Sequence, residues 1–191
     1  MITLFLGLIL FLGIHSVSIV NDSWRSRTAA AWGEWRWKGL YAVLSVIGLV
    51  LIIWGYGLAR QDPIVIYTPP TWLRHVSMLL LVPVFPLLVA AYFPGRIRAA
   101  TKHPMLLAVK LWALAHLLAN GKLADVLLFG SFLIWAGIDR ASMKRRTPRA
   151  IPEAANTRWN DAIAVAGGLA LYVGFVGVLH EGLIGVPVMG R

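Results

Sequence analysis

Six apolar runs constrain this chain more than anything else in it. A helix needs about 20 residues to cross about 30 Å of hydrocarbon at about 1.5 Å per residue. Residues 1–20, 39–58, 72–93, 104–119, 123–138 and 161–179 approach that length, and the charges gather between these stretches rather than within them. Apolar and polar residues do not alternate at the strand period, which argues against a β-barrel. With 59% of residues hydrophobic and 14% charged, the chain is also too apolar for a soluble domain. The expected fold is an all-α, polytopic integral membrane bundle of about six transmembrane helices, forming one domain over residues 1–191 in a lipid bilayer.

The first run is apolar from its second residue, with no basic segment before it and no small-residue cleavage site after it. It reads as a first span rather than a removable signal peptide. Residues 21–38 read as an interfacial loop in which Trp24, Trp32, Trp35 and Trp37 mix with Arg25, Arg27, Arg36 and Lys38. Pro83 and Pro86 are expected to kink the third span. The turn Asn120–Gly121–Lys122 is expected to fold the fourth and fifth spans into a tight antiparallel hairpin. Residues 139–160 read as a polar loop. Ala166, Ala170, Gly174 and Gly177 suggest a small-residue packing face on the sixth span, which His180 continues.

The net charge of +10 does not imply a nucleic-acid partner, because topology accounts for where the charge sits. Of the 18 Lys and Arg residues, all but Arg60, Arg74, Lys110, Lys122 and Arg191 fall in the loops after the first, third and fifth spans. The positive-inside rule then places those loops in the cytoplasm and both termini outside. Cysteine is absent, which removes disulfides, thiolate ligands and cysteine nucleophiles.

The residues that most need a function are polar ones inside spans, because they are costly to bury in hydrocarbon and are rarely kept without a role. His15 and His116 are the two intramembrane histidines. His15 lies 13 residues past Ile2, roughly 20 Å from the outer end. His116 lies 12 residues past Pro104, roughly 18 Å from the inner end, so their depths differ by about 8 Å in a slab of about 30 Å. Neutral imidazoles at compatible depth can hold a haem b between them; equally, each can simply hydrogen-bond across helices. Trp112, His116 and Asn120 form one stripe at four-residue spacing. In it Trp112 can serve as packing or as a flat wall beside a cofactor, and Asn120 can orient an imidazole or a propionate. His75 falls at interface depth, where most histidines are merely solvated. Zinc would need three or four close ligands, and no HExxH or comparable spacing occurs. GxSxG, P-loop and Rossmann glycine patterns are missing as well.

The segment Lys102–His103–Pro104, then Leu111–Trp112–Ala113–Leu114–Ala115–His116–Leu117–Leu118–Ala119–Asn120–Gly121, with Leu12–Gly13–Ile14–His15–Ser16 in the first span, resembles the NnrU family. These are bacterial inner-membrane proteins named from nitrite and nitric oxide metabolism and related to the plant 15-cis-zeta-carotene isomerase. The resemblance implies a haem b whose axial ligands map onto His15 and His116, with Trp112, Asn120 and His103 completing the cofactor-binding set. It further implies a role in denitrification or a haem-dependent cis–trans isomerisation of an apolar polyene, and location in the bacterial inner membrane. A membrane reductase is the partner implied if the protein is a maturation factor without catalysis of its own. Lys102–His103–Pro104 also resembles the S-adenosylmethionine segment of isoprenylcysteine-type membrane methyltransferases. Those enzymes need acidic residues after the next helix, where this chain has Asp139 followed by a strongly basic loop.

Overall fold

The computed structural model describes residues 1–146, 149–186 and 188. Its elements are α1 (Ile2–Val20), α2 (Asp22–Trp32), α3 (Glu34–Ala59), α4 (Trp72–Leu81), α5 (Val84–Ala90), α6 (Arg96–Thr101), α7 (Pro104–Ala119), α8 (Leu123–Ser142), α9 (Asn160–Gly174), a π-helical turn (Phe175–Leu179) and α10 (His180–Ile184). Among the described residues there is no β-strand, only an isolated bridge between Val65 and Lys122. Four segments are long and apolar enough to cross a membrane: Ile2–Val20, Glu34–Ala59, Trp72–Ala90 and Asn160–Ile184. With the shorter apolar α7 and the 20-residue α8, they make an all-α, multi-pass membrane protein of about six spans.

The chain forms two compact units. The first contains α1, α2, α3 and α8. Within it α1 and α3 lie antiparallel, and glycine sets how close they come. A Cβ on Gly7 would fall 2.6 Å from Ile52 N, one on Gly48 would fall 2.8 Å from Phe11 N, and one on Gly55 would strike the backbone of Leu4. Without side chains at these three positions the two backbones can touch, which replaces the hydrophobic drive that lipid does not supply. Leu4 is completely buried as a result. Replacing Gly48 by alanine is therefore expected to lower stability by about 1–3 kcal/mol through overpacking, despite alanine's better helix propensity. Gly57→Ala, where nothing lies within 4 Å, serves as the control. Thermal melts in detergent that do not distinguish the two variants would contradict the close packing.

Helix α8 packs on α1 in the same direction, since Phe132 meets Phe11 (ring centroids 5.7 Å apart) and Trp135 meets His15 (6.1 Å). At its start Asp125, 2% exposed, accepts a hydrogen bond from Tyr56 (2.6 Å) and takes back the backbone N–H of Lys122 (3.0 Å). That arrangement both caps the helix and satisfies a carboxylate inside the bundle.

The second unit packs α4 and α5 against α7, and α5 against α9. Val84, Leu87 and Ala108 form its core, with Leu111 and Trp112 packed around them. The α-helical run breaks at Val82–Pro83, as expected for proline inside a span.

Several boundaries differ from those read in the sequence. Residues 21–38 are helical for most of their length: Asn21 accepts from Trp24 N (2.9 Å) to start α2, and Gly33, at φ 91°, separates it from α3. The fifth span extends to Ser142, so Asp139 belongs to a helix rather than to a loop. The expected small-residue face is also displaced. Ala166, Ala170, Gly174 and Gly177 are exposed, whereas Ala164 and Gly168 are buried, with Gly168 set directly on Pro86. A two-residue offset turns a helix by about 200°, so the true face lies almost opposite. Within the second unit α7 packs on α4 and α5, and within the first α8 packs on α1. The backbone groups of the turn between α7 and α8 are taken by an extended segment, with Tyr67 N donating to Gly121 O (3.1 Å) and Leu123 N to Ile64 O (2.8 Å).

The stretch after residue 149 is stitched to the α5–α6 turn. Ala154 N donates to Tyr92 O (2.9 Å), Asn160 Nδ2 to Pro94 O (2.7 Å), and Arg98 pairs with Glu153 (2.6 Å). Asp161 accepts the N–H groups of Arg96 (2.9 Å) and Ile97 (3.0 Å), so α9 supplies the cap of α6.

Candidate functional site

Helix α8 carries Phe132, Trp135, Asp139 and Ser142 at three- and four-residue spacing, and Arg146 follows at the same interval. Arg146 lies beyond the end of α8, while that spacing puts Phe132, Trp135, Asp139 and Ser142 on one face, which meets Phe11 and His15 of α1. At its centre is His15. Nδ1 of His15 lies 2.7 Å from Phe11 O, and because a carbonyl can only accept, Nδ1 must carry the proton. The neutral ring therefore keeps its lone pair on Nε2, which makes no hydrogen bond among the described residues. The ring stacks on Phe11 (4.2 Å, 26°), with Tyr41 at 5.0 Å and Trp135 edge-on at 6.1 Å. These aromatic walls hold the imidazole in one orientation.

Asp139 stands one helical turn beyond Trp135 and is 7% exposed. It is paired with the Arg146 guanidinium and accepts from Ser142 Oγ (3.4 Å). Among the described residues two buried nitrogens, Trp135 Nε1 and Arg146 Nε, have no hydrogen-bond partner. Both are N–H donors, and a buried donor left unpaired costs about 1–3 kcal/mol.

His116 belongs to the second unit. It repeats the arrangement of His15: Nδ1 lies 2.8 Å from Trp112 O, which again leaves the lone pair on Nε2. The structure keeps Trp112, His116 and Asn120 together. Trp112 lies 5.4 Å from the His116 ring and packs against the core of its unit. Asn120 Nδ2 donates to His116 O (3.0 Å), so its side chain caps the end of α7. The Tyr67 hydroxyl takes up the neighbouring carbonyls of Leu117 and Asn120.

The remaining histidines lie elsewhere. His103 is the N-cap position of α7, next to Lys102, whose φ of 61° is the one positive value outside glycine among the described residues. His75 lines a shallow open groove with Met78, Leu79, Val82 and Tyr172. His180 Nδ1 is bonded to Val186 O (2.8 Å), and its ring lies edge-on to Phe175. Among the described residues no three His, Asp or Glu side chains cluster as metal ligands.

Tyr41, Trp135, Asp139 and Arg146 are absent from the sequence-based set. The signal for three of them was present as the stripe Trp135, Asp139, Ser142, Arg146, hidden because Arg146 sits in a run of basic residues that topology alone explains. Tyr41 had no local signal.

In the first unit the His15 imidazole is anchored at Nδ1 and surrounded by aromatic rings. Fold and site thus define a multi-pass helical membrane protein with histidines held at Nδ1 inside its spans. Residues 3–188 match the model of the family described as NnrU protein, and the chain belongs to that family. Neither a curated protein nor a solved structure matches it.

Proposed function

We propose that the protein binds haem b, for which His15 in the first unit and His116 in the second would be the candidate ligands. The observation that carries this reading is the shared anchoring of the two rings, each fixed by Nδ1 on the carbonyl four residues earlier so that Nε2 bears the lone pair. A ligating histidine commonly uses its second nitrogen this way, which fixes tautomer and orientation. Family membership adds support. His15 would hold the iron, Phe11, Tyr41 and Trp135 would keep water from it, and Trp112 would flank His116. A bound haem iron would supply Lewis-acid or one-electron chemistry towards an apolar substrate that reaches the protein from the bilayer.

Protein purified from haem-replete cells is expected to show a Soret band and a pyridine haemochrome. His116→Ala is expected to shift the low-spin spectrum towards that of an iron with one protein ligand. Full haem content with an unchanged spectrum in this variant would refute the assignment of His116.

Two physiological roles follow from haem binding in the bacterial inner membrane. One is support of nitrite or nitric oxide metabolism, acting on a membrane reductase; the other is isomerisation of a polyene. A deletion strain separates them: loss of reductase activity with unchanged membrane polyenes favours the first, and accumulation of a cis-polyene favours the second. The methyltransferase reading has less behind it, since Asp139, the acidic residue it would use, is committed to Arg146 and Ser142.

A further inference from the structure

Two buried N–H donors, one on Trp135 beside His15 and one on Arg146, which pairs with Asp139, face no acceptor among the described residues. We infer that Trp135 Nε1–H and Arg146 Nε–H bind the carboxylates of the ligand that His15 holds, which on the haem reading above are the propionates. The inference rests on that reading.

The argument begins with the pairing of Arg146. One terminal nitrogen of its guanidinium is spent on Asp139, which offsets the buried charge, but the Nε edge faces no acceptor although it is shut off from water. Guanidinium is a fork with donors on more than one edge, suited to a second planar carboxylate. The indole N–H of Trp135 is likewise buried and unused, and Trp is ordinarily placed where that group finds a partner. The level of each donor along the helix matters as well. Trp135 stands opposite His15, while Arg146 reaches back to Asp139, one turn nearer the end of α8. A ligand that is apolar where it meets His15 and acidic at its rim would leave neither donor unpaired. Three further cations, Arg140, Lys144 and Arg145, follow in sequence and favour the approach of an anion to this end of the helix.

The test compares haem b with haem b dimethyl ester, which has the same iron and ring but no carboxylate, using the full chain in nanodiscs and titrations read by the Soret band. The native protein is expected to prefer haem to the ester by about tenfold or more, the scale of a charge-assisted hydrogen bond. Trp135→Phe combined with Arg146→Lys, which keeps a cation for Asp139, should bring the two affinities within about twofold. A cooperative thermal melt in detergent like that of the native protein shows that the variant is folded. Equal affinities in the native protein would overturn the carboxylate site and leave haem binding standing. Undiminished discrimination in the double variant would overturn these two donors. Binding of neither porphyrin would overturn both readings. Loss of co-purifying phosphatidylglycerol from the double variant, with discrimination intact, would assign the donors to a lipid phosphate instead and likewise overturn the proposal.

Discussion

His15→Gly is expected to reduce bound haem at least tenfold, and added imidazole is expected to restore it. The expected loss reflects how little else in the first unit can replace that nitrogen. Tyr41 and Trp135 approach the ring, but neither offers a neutral nitrogen lone pair, and Asp139 is tied to Arg146. Glycine in a helix interior costs roughly 1 kcal/mol, too little to unfold the bundle, and the α1–α3 contact at Gly7 and Gly48 lies on the other side of that position from α2 and is untouched. The vacated space has Phe11, Tyr41 and Trp135 as walls, a shape suited to a free imidazole. Rescue separates ligation from packing, because soluble imidazole restores a ligand without restoring a tethered side chain. Haem retained in full by the glycine variant without imidazole would remove His15 from the iron.

Asp139→Leu should be the most destabilising single change in the first unit. The pair it breaks is sheltered, with side-chain exposures of 9% for Asp139 and 14% for Arg146. Removing one member of a buried pair costs about 3–5 kcal/mol, chiefly because the other charge is left uncompensated. Asp139→Leu with Arg146→Met should recover most of that loss, since apolar residues of similar volume often substitute for a buried pair at little net cost. A double-mutant cycle followed by thermal melts in detergent measures the coupling; additive losses would mean that the two side chains act separately. The cycle bears on function too, because the double variant keeps stability while discarding one of the two carboxylate donors, so its porphyrin preference should weaken although its fold does not.

The approximate number of spans was legible because length and hydropathy in a membrane are nearly sufficient: each span must satisfy its own backbone, whatever its neighbours. What packs on what was much less so. Ala166, Ala170, Gly174 and Gly177 and the pair Ala164 and Gly168 all look alike as small residues, and only the position of Pro86 on α5 decides which face is used. Asp125 passed unnoticed at the start of a span, since nothing in the local sequence announces that Tyr56, 69 residues earlier, will donate to it. Within the candidate site, His15 stood out because histidine is rare in hydrocarbon. Trp135 resembled every other membrane tryptophan, and Arg146 was one cation among several. The face shared by Trp135, Asp139 and Ser142 became apparent only when α8 proved to continue past Ile138 to Ser142.

The glycine contact between α1 and α3 also fixes a length. Because Gly55, Gly7 and Gly48 meet Leu4, Ile52 and Phe11 backbone to backbone, the two helices are locked in register, and a slide of one turn would drive side chains into the space those glycines leave open. His15 lies one turn beyond the last of these contacts and Tyr41 lies on the opposing helix, so their separation is set by this lock and not by the bilayer. A thicker or thinner membrane can then be met only by tilting α1 and α3 together. Lipid composition would change how deep the imidazole sits without changing what surrounds it, which keeps the chemistry of the site constant while its access from the bilayer is adjusted.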